Sequence, residues 1–390
     1  MKNKIAVIGT GTAGMMSLSH LCTFLENDTW EVYSIHDPNI PILGVGESTT
    51  PSVPRNLFYG IDFSFSDDYA ELSSTIKHSV KYVNWRQHSF KSLIDTSAYG
   101  IHFDNTKLSE FVQQRLEKKY PTKFKKILGN VKYLKNISNG VEVCVNDAIF
   151  SFDYVIDCRG FPELYEDCTI LNLPLNRALV TSIDSPGDWD YTYHYAHDNG
   201  WMFGIPLTTR QGWGYMYNDN YLSADDAKNK MASILKKSVD ELSTREYRFT
   251  PFYANSVVDG RIVKNGNRFL FFEPLEALST YYYDMVNKAT IDLIRNNMTE
   301  QRMNTFFNQK AQELQVFISY VYHGGSIYTS DFWNDTKNNC SEFLKSSVLF
   351  SNIVNYYKSM KNRIYLAETI SPFSSHAWFA MEKNLEYNYF

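Results

Sequence analysis

Gly9-Thr10-Gly11-Thr12-Ala13-Gly14 has the spacing G-x-G-x-x-G, which suits the holding of a diphosphate. Glycine at 9 permits a tight turn, the missing side chain at 11 lets the backbone approach a pyrophosphate, and Gly14 lets a helix pack closely on a strand. The N-terminus of that helix then faces the phosphates. Gly9, Gly11, Thr12, Ala13 and Gly14 are therefore the expected phosphate-side residues of a dinucleotide site. An acid is expected at the end of the second strand, where it would bind ribose hydroxyls. The aligned position holds His36, with Asp37 one residue later. Asp37 takes the role if the strand ends late, His36 donates to the ribose if it does not, and a plain surface turn is the third reading.

The motif has meaning only between a strand and a helix. Residues 4–8 are a β-branched apolar run, residues 15–30 carry apolar side chains at helical spacing, and 31–35 reads as a second strand. That order is a βαβ unit with a right-handed crossover. Further on, 105–119 reads as a helix opened by an Asn or Thr cap, and 141–146 with 150–156 as a hairpin whose second strand ends at Asp157. Alternating stretches over 174–218 predict an antiparallel sheet. Helix is expected over 223–243, a buried strand over 267–272, helix from about 281 to 322, and mostly helix beyond 340 before an irregular aromatic tail. Length sets the scale: 390 residues, at roughly 150 per domain, imply two or three units.

Composition excludes several partners. The formal charge of −5 carries no run of like charges, which argues against nucleic acid and anionic membrane. Five cysteines, odd in number and without a C-x-x-C pair, imply neither a metal nor a disulfide framework. The N-terminal segment does not read as a signal peptide and no apolar stretch reaches the roughly 18 residues of a span, so a cytoplasmic location is expected. Aromatic residues make up 16% of the chain. They could wall a cavity for flat, π-rich molecules, or reflect compositional bias.

Gly44-Val45-Gly46-Glu47-Ser48-Thr49-Thr50-Pro51 resembles the flavin-proximal loop, G-x-G-E-[AS]-T, of the flavin-dependent tryptophan halogenases. Residues 76–86 resemble that family's lysine segment, and Gly200-Trp201-Met202-Phe203-Gly204-Ile205-Pro206 its G-W-x-W-x-I-P box, with Phe203 replacing the second tryptophan. Phe272-Glu273-Pro274-Leu275-Glu276 matches its E-P-L-E, and the stretch from His323 to Trp333 is similar to a further family segment. Five motifs stand in the family's order.

The resemblance implies an α/β fold: an FAD-binding Rossmann-like domain of the glutathione-reductase type, an interleaved antiparallel layer and a C-terminal helical region. Boundaries are expected at 1–165 for the FAD-binding region, 166–262 for the sheet region, 263–300 for the return to the FAD-binding region, and 301–390 for the helices. Lys77 would be catalytic and Glu276 its partner and general base. Gly46, Glu47, Ser48 and Thr49 would face the flavin, while Pro51, Trp201, Phe203, Ile205 and Pro206 would line the tunnel and substrate side. By the same resemblance, reduced FAD and dioxygen turn halide into hypohalous acid, which passes to Lys77 and halogenates a small electron-rich aromatic compound. With one dinucleotide fingerprint present, a separate flavin reductase would supply reduced FAD. A homo-oligomer is compatible with the sequence.

Two departures matter. After E-P-L-E the family continues Ser-Thr-Gly around chloride, whereas this chain has Ala277, Leu278 and Ser279, which implies bromide or iodide in preference to chloride. The segment from Arg86 to His102 is also short, and the C-terminal region reduced, which counts against free tryptophan as substrate. The alternatives are a single-component FAD monooxygenase, which would not need Lys77, and a non-catalytic flavin-binding protein.

Overall fold

A computed structural model describes residues 2–42, 44, 48–86, 89–93, 98–360, 378, 381 and 385. β1 (Asn3–Ile8), α1 (Thr12–Phe24) and β2 (Trp30–His36) form the opening βαβ unit. α2 (Ser52–Ile61) and α3 (Phe65–Asp68) precede four short strands: β3 (Thr75–Lys77), β4 (Ser79–Val83), β5 (Phe90–Leu93) and β6 (Gly100–His102). α4 (Asn105–Lys119) leads to β7 (Phe124–Leu128), and the meander β8 (Val131–Ile137), β9 (Gly140–Val145) and β10 (Ala148–Phe152) to β11 (Tyr154–Asp157). Next come β12 (Cys168–Ile170), β13 (Arg177–Ile183), β14 (Tyr191–His197), β15 (Gly200–Pro206), β16 (Gln211–Tyr217), α5 (Ala224–Leu235) and β17 (Arg245–Arg248). The last strands are β18 (Phe252–Ala254), β19 (Val258–Asp259), β20 (Ile262–Lys264) and β21 (Leu270–Phe271). α6 (Ser279–Ile294), α7 (Glu300–Gly324), α8 (Asp331–Ser346) and α9 (Val348–Met360) follow.

The chain divides into two compact units, one of residues 1–77, 97–170 and 252–308, the other of 78–96, 171–251 and 309–390. These limits differ from the boundaries expected at 165, 262 and 300, and the lysine segment 76–86 is divided between the units after Lys77.

The first unit is built on a six-stranded sheet in the order β19-β20-β11-β1-β2-β7, with β20, β11, β1, β2 and β7 parallel. β1 is central, so its residues Ile5 to Ile8 are buried on both faces, which is why they read as a continuous apolar run. α1 packs against this sheet and is tied to α6 by a buried polar knot. Ser17 Oγ donates to Asn287 Oδ1 (2.7 Å), while Asn265 Nδ2 reaches both Ser17 Oγ (3.2 Å) and Asn287 Oδ1 (3.0 Å). The buried Lys123 ammonium closes the far end of α1 by donating to the Cys22 and Leu25 carbonyls, the placement a helix C-terminus favours.

The second unit carries a seven-stranded sheet, β17-β13-β16-β15-β14-β4-β5, antiparallel except where β4 meets β14. α5 covers Met202, Tyr215, Tyr217 and Leu179 on one face. On this unit Trp85, Trp201, Trp333 and Tyr322 are each less than 2% exposed, and the Trp85 ring contacts the other three, so this part of the aromatic excess is spent on packing.

The helix expected over 223–243 ends at Leu235, with only a 3₁₀ turn at Val239–Glu241 beyond it, and four further expectations need correction. The stretch 150–156 is two strands: β10 pairs antiparallel with β9, and β11 runs parallel to β1. The change occurs at Asp153, whose N–H donates to the Lys4 carbonyl (2.7 Å) and whose carboxylate accepts from the Lys4 N–H (2.7 Å). The cap of α4 is Asp104, which accepts from Thr106 N, not Asn105 or Thr106. Residues 267–272 hold a turn of 3₁₀ helix over Gly266–Arg268 and only a two-residue strand. Helix α6 begins at Ser279, earlier than the expected Tyr281, and is separate from α7.

Candidate active site

The glycine turn is shaped as its spacing requires. Gly9 has φ +98°, and a Cβ there would lie 2.6 Å from the Cys158 carbonyl oxygen. A Cβ on Gly14 would lie 2.0 Å from the Gly9 carbonyl oxygen, so the start of α1 rests directly on the turn. Gly11 differs: among the described residues a Cβ would meet nothing within 4 Å, and the same holds for Gly160, just past β11. Gly11 caps α1 without a side-chain hydrogen bond, and the first turn has no acidic residue. Its amides thus face open space at the positive end of the helix.

The neighbouring groups fit a diphosphate and a ribose. Asp157, buried at the end of β11, binds the guanidinium of Arg159 at 2.9 Å and that of Arg268 at 3.2 Å. The two guanidiniums share this one carboxylate, and Glu163 adds a second acid acting on Arg159. Among the described residues the buried Nδ1 of His36 has no hydrogen-bond partner, whereas Asp37 Oδ1 already accepts from Asn39 N (2.9 Å) and Nδ2 (3.0 Å). Of the two, His36 is the better suited to a ribose. Thr12 donates to Asn105 Oδ1 (3.0 Å), and Ala13 is packed beneath Gly266, where a Cβ would come within 2.7 Å. These residues fit the phosphate and ribose groups of FAD.

Lys77 lies in the same unit. It ends β3, in register with Gly100 of the antiparallel β6, and is 1% exposed. Removal from water pushes its pKa down to about 8, against the opposing pull of Glu276, so desolvation wins. Beside it His102 is fully buried, within 3.0 Å of Thr75 Oγ1 through Nδ1, and held neutral by desolvation first and the Lys77 charge second. Sequence reasoning did not single out His102 or Gly100. Their only signal is a three-residue strand opposite the lysine.

Glu276 sits on a left-handed turn, with φ 60° there and 57° at Ala277. Non-glycine residues in this region carry about 1–3 kcal/mol of strain each. The turn runs straight into α6, whose cap, Leu278, supplies no side-chain hydrogen bond to the first amides. The Ala277 N–H is already bonded to the Pro274 carbonyl (3.1 Å), which leaves the amides of Leu278 and Ser279 at the helix N-terminus, in a setting partly apolar.

Gly46 and Glu47 lie outside the described residues. Ser48 forms an isolated β-bridge with His102, and Pro51 caps α2. Thr49 is 1% exposed, its hydroxyl occupied by both the N–H and the C=O of Ile101. Trp201, Phe203, Ile205 and Pro206 are buried in β15 of the second unit. The Trp201 Nε1 donates to Tyr322 Oη (2.7 Å), and the Phe203 ring occupies the space over Gly214. Among the described residues no cluster of His, Cys, Asp or Glu is arranged to hold a metal, and no helix is long and apolar enough to cross a membrane.

A glycine turn that fits a dinucleotide and a buried lysine influenced by a glutamate lie in one unit, as an α/β nucleotide-dependent enzyme would have them. The sequence profile of the tryptophan halogenases matches residues 4–128 and 87–371, and the chain belongs to that family. It is 23% identical to the tryptophan 7-halogenase RebH of Lentzea aerocolonigenes, over 86% of this chain and 79% of that one. It is 22% identical to the tryptophan 6-halogenase ThaL of Streptomyces albogriseolus, over 85% and 78%. Its fold matches that of a tryptophan halogenase from Shewanella frigidimarina with a TM-score of 0.82 at 17% identity, covering 99% of this chain and 89% of that one. The flavin-dependent halogenase Xcc4156 of Xanthomonas campestris matches with a TM-score of 0.81, also at 17% identity and with the same coverage. The Rossmann-like FAD-binding architecture is thus that of flavin-dependent halogenases, which are oxidoreductases using FAD and a halide.

Two outcomes follow from this geometry. Gly11→Val should abolish FAD binding and leave the melting temperature of the flavin-free protein near the unmutated value, because the added side chain enters open space; an FAD titration that still saturates would contradict the phosphate assignment. Glu276→Gln removes the influence that raises the Lys77 pKa, so any limb of the pH–kcat profile near 8 should move to lower pH. Turnover should also fall by roughly 10²- to 10⁴-fold, as for a lost general base. A limb that stays in place would separate Glu276 from Lys77.

Proposed function

We propose that this chain halogenates an electron-rich aromatic compound of the indole or phenol class, with Lys77 holding the halogen donor and Glu276 receiving the ring proton. The observation that carries the reading is the full burial of Lys77 in the dinucleotide-binding unit, with Glu276 as its charged influence. A monooxygenase has no task for such an amine. Bound reduced FAD supplies, with dioxygen, the oxidation that converts halide into hypohalous acid.

The protein's own residues do the rest. Below about pH 8 the Lys77 ammonium donates a hydrogen bond to hypohalous acid; above it the free amine can take the halogen with loss of water. The ring gains halogen and gives up its proton, for which Glu276 is the general base. Gly9, Gly11, Thr12, Ala13, Gly14 and His36 hold the FAD, with Gly46, Glu47 and Ser48 of the flavin-proximal loop beside it, whereas the Thr49 hydroxyl is spent on Ile101. A separate flavin reductase delivers reduced FAD. RebH and ThaL are tryptophan halogenases by name, but the short 86–102 segment here favours a different aromatic substrate than free tryptophan.

Halide choice follows from the turn after Glu276. Backbone amides at the start of α6 can bind an anion, but Leu278 and Ala277 offer no hydroxyl to replace water. A drier site penalises most the anion that is costliest to dehydrate, and chloride holds its water more tightly than bromide or iodide. Incubation with reductase, FAD, equimolar halides and a panel of indoles and phenols, read by mass spectrometry, should give mainly brominated or iodinated product. Mainly chlorinated product would overturn the halide preference, and no halogenated product from any substrate would overturn the activity.

A further inference from the structure

Lys77 and Glu276 are on separate stretches of chain, and the dipeptide Thr49-Thr50 touches the support of each. We infer that Thr49 and Thr50 are positioning residues that set Lys77 and Glu276 in register, an inference resting on the roles proposed above for that pair.

Thr49 works on the lysine side. Its hydroxyl donates to the Ile101 carbonyl (2.8 Å) and accepts from the Ile101 N–H (2.9 Å), so a side chain takes the place of a strand partner along β6. Its carbonyl presses on Gly100: a Cβ there would lie 2.6 Å from Thr49 O and 3.4 Å from Lys77 Cδ. Gly100 is in register with Lys77. Thr49 thus reaches the lysine stem through one residue of β6.

Thr50 works on the glutamate side. Its N–H donates to Thr280 Oγ1 (3.1 Å), and the two hydroxyls meet at 3.0 Å. Thr280 Oγ1 donates in turn to the Ala277 carbonyl (3.2 Å), fastening the left-handed turn of Glu276 and Ala277. Ser52 adds a contact to Thr50 Oγ1 (2.7 Å) and donates to the Thr280 carbonyl (3.2 Å). Adjacent residues are therefore bonded to the two supports, and both are largely shielded from water. A buried hydroxyl that satisfies two backbone groups of one residue fixes position more strictly than apolar contact alone.

The test compares Thr49→Val, which keeps shape but removes the hydroxyl, with Thr49→Ser, which keeps it. Each is assayed as the FAD-loaded enzyme with reductase, bromide and the best aromatic substrate. Thr49→Val should lower kcat by roughly 10²-fold, the scale of a misplacement near 1 Å. FAD affinity and substrate KM should change little, and more flavin should be oxidised per halogenated product. Thr49→Ser should recover most of the loss. A lower melting temperature with kcat and that ratio unchanged would overturn the inference. A second readout is independent of turnover: the Lys77 pKa from the pH dependence of its acetylation, followed by mass spectrometry. Should the unmutated chain make no halogenated product, the proposed activity fails, and this readout decides the positioning role alone. A shift of about one unit in Thr49→Val relative to Thr49→Ser supports it, and coincident values overturn it.

Discussion

A lysine taken almost wholly out of water is costly, and much of the first unit can be understood as what makes Lys77 tolerable and useful. Burial disfavours its ammonium, and the Glu276 carboxylate pulls the other way without prevailing, so the amine titrates near 8. An ordinary surface lysine stays charged throughout the physiological range; this one can exist in either form. The surrounding structure keeps it there. β3 and β6 are only three residues each, and the glycine at 100 leaves room for the lysine stem.

Strain is concentrated where this arrangement needs it. Glu276 and Ala277 occupy left-handed backbone although neither is glycine, and the turn opens directly onto the uncapped start of α6. The Glu276 carboxylate and the first amides of α6 are thereby brought close along the chain, with the Ala277 N–H between them spent on the Pro274 carbonyl. The glycine turn at residues 9–14 does the corresponding work for a diphosphate, with Asp157, Arg159 and Arg268 adding charge at the next strand.

Local patterns carried some of this into the sequence and concealed the rest. The βαβ opening was legible because Ile5 to Ile8 are buried on both faces and Gly9, Gly11 and Gly14 have distinct geometric duties. The strand change at Asp153 was not, since 150–156 keeps one apolar alternation while swapping β9 for β1 as partner. Nor could the positive φ at Glu276 and Ala277 be read from residue types that seldom adopt it. Lys77 and Glu276 themselves carry no periodic signal, and only their resemblance to family motifs singled them out. Thr49, expected at the flavin, has its hydroxyl committed to Ile101, a distant pairing that no local pattern encodes.

The central claim is that Lys77 converts a freely diffusing oxidant into a directed halogen donor. Lys77→Met keeps most of the stem's volume while removing the amine, so the most direct measurement is its product yield per flavin oxidised, taken with FAD binding. In Lys77→Met FAD should still bind and hypohalous acid should still be released, while the regiospecific halogenated product disappears. Regiospecific product formed at the unmutated rate would contradict it.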